Sequence, residues 1–242
     1  MKTLIFNNTT VQSGTNNSVY IYSFPAGGIE LKKGDKIAIQ SVLMPYSWFN
    51  INSSLYNNST FIILVGANQY TITLPTSFML LSDINYFLQQ QFISLGLYLV
   101  NSAHSNVYFG QLVYNTALYA VEFDSFPIPV SLPSGHTNPA NVLFNTMIIA
   151  TPTTPQLRIL SNGFGALIGF GAGTYPPVSQ TTNYSITSTT TPNMSPVNSV
   201  IVSCNLCVNK YSIAPQTLFS FSPNTSFGSN IIVANSFSIC LD

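Results

Sequence analysis

Side chains able to do acid–base, nucleophilic or metal chemistry are few: six carboxylates, two histidines and three cysteines in 242 residues. General acid–base or glycosidase work needs two carboxylates at a set separation. Glu122 and Asp124 form an i, i+2 pair, which on a strand turns both side chains to one face. They read as a solvated strand end rather than a catalytic dyad. His104 lies in Ala103-His104-Ser105-Asn106, which has the look of a hairpin turn, and His136 lies in a proline-rich stretch. Neither neighbours a nucleophile elbow, and no Gly-x-Ser-x-Gly occurs, so a hydrolase triad lacks its parts. Cys204-Asn205-Leu206-Cys207 has zinc or redox spacing but sits in the β-branched run Val200 to Val208. Residues three apart on a strand face opposite ways, and no second cysteine pair completes a metal site. With Cys240 these cysteines form no disulfide framework and read as small buried hydrophobes. Gly163-Phe164-Gly165 and Gly169-Phe170-Gly171-Ala172-Gly173 lack the Lys-Ser/Thr of a phosphate loop, and no helix is signalled there. The expectation is tight backbone turns anchored by Phe164, Leu167, Ile168 and Phe170. No catalytic, metal or cofactor-binding residue is assigned, no cofactor is expected, and an enzyme is not.

The elements that must position these residues are short β-rich runs between turn residues. Val19 to Phe24 and Lys36 to Leu43 are the first, the second closed by Pro45. Phe61 to Val65 and Gln69 to Leu74 flank Gly66-Ala67-Asn68, a three-residue hairpin loop. Ser82-Asp83 then offer a cap and an early acid, and Ile84, Phe87, Leu88, Phe92 and Leu95 recur at helical spacing up to Gly96. That single apolar stripe predicts one helix lying across an end or edge of a sheet stack. Strand patterns resume at Leu97 to Ala103, Val107 to Tyr114, Ala117 to Phe123, Val142 to Ala150, Leu157 to Ser161, Ser199 to Val208, Thr217 to Phe221 and Ile231 to Ile239. Pro127 to Asn141 and Gly171 to Asn198 read as loops, the latter without a charged side chain. Loops of that length usually have a task, here a contact at a subunit interface or outer surface. The fold class expected is all-β, a single jelly-roll β-sandwich of two antiparallel sheets with one short helix and long polar loops. One domain spans 1–242, with a short N-terminal arm at about 1–18 and a long loop at about 171–198.

Charge is scarce. Asp, Glu, Lys and Arg make up 5% of the chain, against about a quarter in ordinary soluble domains. Half of these twelve charges lie within the first 36 residues, and the formal net charge is zero. A free monomer uses net and mixed charge to avoid association. Here the polar surface must be Asn, Ser, Thr and Gln, which suits a subunit covered by other subunits; a secreted glycan-binding module can share the trait. Beyond residue 36 only Arg158 and Lys210 are basic, so no specific nucleic-acid contact is expected. No apolar run is long enough to predict a membrane span, because Phe78 to Val100 is interrupted by polar residues. The apolar stretch after Lys2 is too short for a signal-peptide core, which favours cytosolic synthesis.

One succession of residues carries a resemblance. Lys36 to Ile51 reads Lys-Ile-Ala-Ile-Gln-Ser-Val-Leu-Met-Pro-Tyr-Ser-Trp-Phe-Asn-Ile, and the hairpin, the capped helix, the block Gly163 to Phe170 and Val200 to Leu206 follow it. It resembles the penton, or vertex, capsid proteins of virophages and polinton-like viruses across most of residues 19–210. Its most specific part is Pro45-Tyr46-Ser47-Trp48-Phe49-Asn50-Ile51. The resemblance implies a single jelly roll forming a homopentamer at each fivefold vertex of an icosahedral virion. Its partners would be a double jelly-roll major capsid protein and other minor capsid proteins, and its place the virion, after synthesis in the host cytoplasm. Tyr46, Trp48 and Phe49 are then candidate interface residues, since Trp and Tyr are favoured anchors; Trp48 could equally cap the core. Tyr175 and Tyr184, in the long loop, are further candidates. They also fit the alternative of a carbohydrate- or receptor-binding spike or turret head, where they would stack on sugars.

Overall fold

A computed structural model of the chain describes residues 4–7, 9–14, 18–24, 28, 30, 32, 35–144, 150–195, 197–206, 216–234 and 239–240. Its elements in chain order are β1 (Lys36–Ile37), β2 (Ser41–Pro45), β3 (Thr60–Val65), β4 (Asn68–Thr73), α1 (Leu81–Ser94), β5 (Tyr98–Val100), β6 (Asn106–Tyr108), β7 (Gly110–Asn115), β8 (Ala120–Ser125), β9 (Gln156–Ile159), α2 (Gly163–Ile168), β10 (Gly173–Tyr175), β11 (Tyr184–Thr187), β12 (Val200–Ser203), β13 (Thr217–Phe221), β14 (Asn230–Ala234) and β15 (Ile239–Cys240). The described residues are thus mostly β, with several antiparallel sheets and two helices. Among the described residues no helix is long and apolar enough to cross a membrane. Contacts divide the chain into two compact units: residues 1–43, 199–222 and 232–242 make the first, residues 44–198 and 223–231 the second.

The second unit holds a four-stranded sheet in the order β10-β9-β3-β4, a three-stranded sheet in the order β11-β8-β7, and the β5–β6 hairpin. Alternation decides which side chains point inward. On β8, Val121, Phe123 and Ser125 are buried while Glu122 and Asp124 face out. On β9, Leu157 and Ile159 are buried and Gln156 and Arg158 are not. β3 lies between two neighbours, and its uninterrupted apolar run from Phe61 to Val65 suits burial from both faces. Side chains from both sheets and both helices meet in one core that includes Phe61, Ile63, Ile84, Leu112, Phe123 and Phe164. Phe61 stacks on Phe164 with ring centroids 4.5 Å apart. Burying a side chain of this size is worth about 1.5–3 kcal/mol.

Local chemistry accounts for the boundaries. The β3–β4 hairpin pairs Val65 with Asn68, so its loop is the two residues Gly66-Ala67, one shorter than the sequence suggests. Gly66 has φ +57°, the geometry a glycine supplies at the first central position of a tight hairpin turn. In α1 the cap is Leu80 rather than Ser82: the Asp83 carboxylate accepts the Leu80 N–H at 2.8 Å and holds the first turn. Leu81, Ile84, Leu88 and Phe92 form its buried stripe, and Gly96 ends it at φ +71°. α1 packs on β7, and its Asn85 Oδ1 accepts the Leu112 N–H at 2.8 Å. An edge-strand donor is thereby satisfied from the helix.

Three expectations change. A second helix, α2, occupies the glycine-rich block: Asn162 Oδ1 accepts the Phe164 N–H at 3.2 Å to start it, and Gly169 at φ +81° stops it. Glycine has poor helix propensity, which hid this helix, but here close packing selects it. A Cβ on Gly165 would lie 2.5 Å from the Phe170 carbonyl oxygen. Next, residues 171–198 are not loop throughout. They carry β10, which edges the four-stranded sheet, and β11, which edges the three-stranded one. At three and four residues among prolines, neither run is long enough to show a period. Finally, Val19 to Phe24 contributes one bridge, Tyr20 to Val11, instead of a strand, and part of the expected Val142 to Ala150 strand lies outside the described residues.

The first unit is built of strand pairs: β1 with β15, and β12 with β13, the latter irregular between Val202 and Ser203. Nearer the N-terminus, Gln12 N–H donates to Val19 O and Ile21 N–H to Thr10 O, joining the arm's two limbs. Asp35 closes a turn by accepting the Lys32 N–H at 2.8 Å.

Candidate functional site

Pro45 ends β2, and Tyr46 is then fixed through its backbone: its N–H donates to Ser229 O and its carbonyl accepts from Gly228 N–H. The Tyr46 ring is buried, with its hydroxyl 3.3 Å from Ser195 Oγ. Around it gather Trp48 at 5.2 Å, Phe78 at 6.1 Å and Phe227 at 6.1 Å between ring centroids. Phe78 and Phe227 stack face to face at 4.5 Å, and Phe49 meets Phe227 at 6.1 Å. Five rings therefore form one patch that is buried at Tyr46, half-buried at Trp48, Phe78 and Phe227, and 44% exposed at Phe49. Trp48 neither caps the core outright nor stands free.

What holds the patch is the next residue. Asn50 is 1% exposed; its amide nitrogen donates to Met79 O at 2.8 Å and Met194 O at 3.0 Å, and its oxygen accepts Met79 N–H at 2.8 Å. Asn58, also buried, donates to Asn50 O and accepts Asn52 N–H. Ile51 bridges Ser77 through two backbone hydrogen bonds and is fully buried. Three of the rings, Tyr46, Trp48 and Phe49, thus sit on a loop tied down on both sides, which reduces the entropy lost when a partner covers them. Sequence reading found Tyr46, Trp48 and Phe49 together. It missed Phe78 and Phe227, which stand alone in sequence, and the part played by Asn50. Past Leu80, an open apolar groove of about 570 Å³ runs between α1 and β7, lined by Leu81, Leu112, Tyr114 and Met194 among others.

Tyr175 and Tyr184 lie on β10 and β11 rather than in loops, drawn there by pairing with β9 and β8. Tyr175 packs edge-on against Phe170 at 5.1 Å and donates its hydroxyl to Gly171 O at 3.1 Å. Burial, and then the charge on a nearby ionised Tyr175, push the Tyr184 hydroxyl above the ordinary tyrosine range. These two tyrosines are thus neighbours, and no ring contact among the described residues joins them to the Trp48 patch.

Glu122 and Asp124 do share a face, but along β8 between two neighbouring strands and not at a solvated strand end. Ser185 Oγ donates to Glu122 at 2.6 Å, Asn115 Nδ2 to Glu122 at 3.2 Å, and Gln111 Nε2 to Asp124 at 3.0 Å. The Ser185 hydroxyl first, then the Asn115 amide, hold the Glu122 carboxyl below the usual range. His104 sits in the β5–β6 turn at φ +60°, and His136 Nδ1 lies 3.1 Å from Ser134 O. Cys204 follows β12, while Cys207 lies outside the described residues. Among the described residues no three His, Cys, Asp or Glu side chains gather as a metal set would.

Comparison with known proteins returns no match, whether against family models, curated proteins or solved structures.

Proposed function

We propose that the chain is a structural capsid subunit, a single jelly-roll penton whose homopentamers occupy the fivefold vertices of an icosahedral virion beside a double jelly-roll major capsid protein. The observation that carries this reading is the five-ring patch around Trp48, held out by the buried Asn50 amide on a chain almost without charge. Aromatic anchors on a stiff, neutral surface serve contact between protein surfaces. Several antiparallel sheets, with side chains of the two largest meeting in one core, support the jelly-roll reading. The penton assignment itself rests on the residue blocks quoted from Lys36 onward.

Native mass measurement tests it. The purified chain is expected as a pentamer, and Trp48→Ala as a folded chain of lower oligomeric order. A monodisperse wild-type monomer at micromolar concentration that binds glycans on an array would overturn it in favour of a carbohydrate- or receptor-binding module.

A further inference from the structure

Closed rings of more than two identical subunits need a head-to-tail joint, in which one surface of the chain meets a different surface of its neighbour. The five rings around Trp48 are one such surface, and they sit where α1 begins: Asn50 binds the N–H and the carbonyl of Met79, next to the Leu80 cap. Their counterpart in a ring must lie elsewhere on the same chain, turned another way.

The far end of α1 carries a surface of that kind. A Cβ on Gly96, where α1 stops, would lie 2.5 Å from Val142 Cγ2 and 2.9 Å from Ala140 Cβ, so the segment that follows β8 returns against that end. Ile128 pairs with Thr153, and Thr137 with Val100, through two backbone hydrogen bonds each. Between these ties runs Pro129-Val130-Ser131-Leu132-Pro133, with Val130 48% and Leu132 46% exposed. Proline fixes its own φ and holds the residue before it extended, so Pro127, Pro129 and Pro133 restrain Phe126, Ile128 and Leu132 as well. The segment is stiff before anything touches it. At about 1.5 Å per residue, the 14 residues of α1 set roughly 21 Å between the helix ends that carry the two surfaces.

We infer that the rings around Trp48 receive residues 127–133 of a second copy of this chain, with Val130 and Leu132 seated against Trp48, Phe49 and Phe227. This deepens the penton reading, on which it rests, by naming both halves of the joint. Aromatic surfaces take proline-rich chain because its extended shape is set in advance and leaves little entropy to lose. Charge agrees with the pairing. The Asp83 carboxylate stands at the ring end, beside Leu80, whereas residues 126–144 contain no acid. Both histidines lie at the loop end, His136 in the segment itself and His104 in the turn after Val100, which pairs with Thr137. Acid therefore approaches base when copies join head to tail, and acid would approach acid if two ring ends met. The exposed pair Leu118 and Tyr119 is no substitute: it continues β7 past Tyr114, which lines the groove beside Leu80, and so lies at the ring end itself.

Full-length variants that each lack one half of the joint test this, with native mass as the readout. Phe49→Asp spoils the rings, and Val130→Asp combined with Leu132→Asp spoils the segment; all three positions are exposed. Each variant alone is expected to need at least a tenfold higher concentration than wild type for half-assembly. Mixed in equal amounts, they should give a heterodimer that stops at two. The intact segment of one still fits the intact rings of the other, and no further joint is left. A segment variant that assembles like wild type overturns the inference, as does a mixture without heterodimer; a pentameric wild type then leaves the capsid reading standing. Loss in the ring variant alone also overturns it, by assigning the rings to a different protein. A wild-type chain that never assembles sinks both readings. Trp48, the chain's one tryptophan, gives a second measure that needs no change at Phe49. Its emission should shift to the blue when wild type assembles and stay put in the segment variant at the same concentration; a pentamer without the shift counts against the inference.

Discussion

With its amide engaged by Met79 and Met194, Asn50 occupies a place where each lost partner leaves a backbone group dry. Stranding buried polar groups costs about 1–3 kcal/mol each, so Asn50→Ala should lower unfolding stability by roughly 3 kcal/mol. Asn50→Asp should do worse, because it turns lone pairs toward two carbonyls. Chemical denaturation of both variants checks the order. Glu122 sets a pH dependence of the opposite kind to Tyr184. Its carboxyl is lowered in the fold, so its contribution is present above the ordinary carboxylate range, about 4.3, and is lost as pH falls through the lowered value. Glu122→Gln should therefore lower the neutral plateau of a stability-versus-pH curve and flatten its acid limb, with the smallest effect at the most acid pH. The Tyr184 hydroxyl is raised, so its contribution holds below the ordinary tyrosine range and disappears as pH climbs through the raised value. Tyr184→Phe should move the alkaline unfolding midpoint upward.

Among elements, α2 separates propensity from packing. Exchanging a helical glycine for alanine ordinarily stabilises by up to about 1 kcal/mol. At Gly165 the new Cβ would meet the Phe170 carbonyl at 2.5 Å and Ile159 Cγ2 at 2.9 Å, and backbone cannot step aside cheaply. Gly165→Ala should thus destabilise by about 1–3 kcal/mol, read by thermal unfolding; a stabilised variant would show that α2 is packed more loosely than described. The same contrast explains what was legible beforehand. β4 and α1 announced themselves because their apolar residues recur at period 2 and 3.6 on one face, and β3 because its apolar run is unbroken. β10, β11 and α2 did not, since their lengths of three, four and six residues are set by neighbours β9 and β8 and by tight approach to Phe170. In the aromatic patch, the adjacent Tyr46, Trp48 and Phe49 were visible. Phe78 and Phe227 were not, because only folding brings residues that far apart in sequence together.

For the whole molecule, scarcity of charge predicts indifference to salt. Contacts made by rings and aliphatic side chains are not screened, so assembly measured by light scattering should change little between low and moderate ionic strength. Steep weakening with salt would point to a few ion pairs as the organising contacts. The seal that Asn85 places on β7 has its own consequence at this scale. In the three-stranded sheet β7 is thus engaged from α1, and among the described residues β11 forms the other margin. Two molecules joined along that margin would complete a six-stranded sheet with both flanks already stoppered by helices. Ribbon growth would end there, and any ring of higher order has to be stitched through surfaces other than the backbone of this sheet.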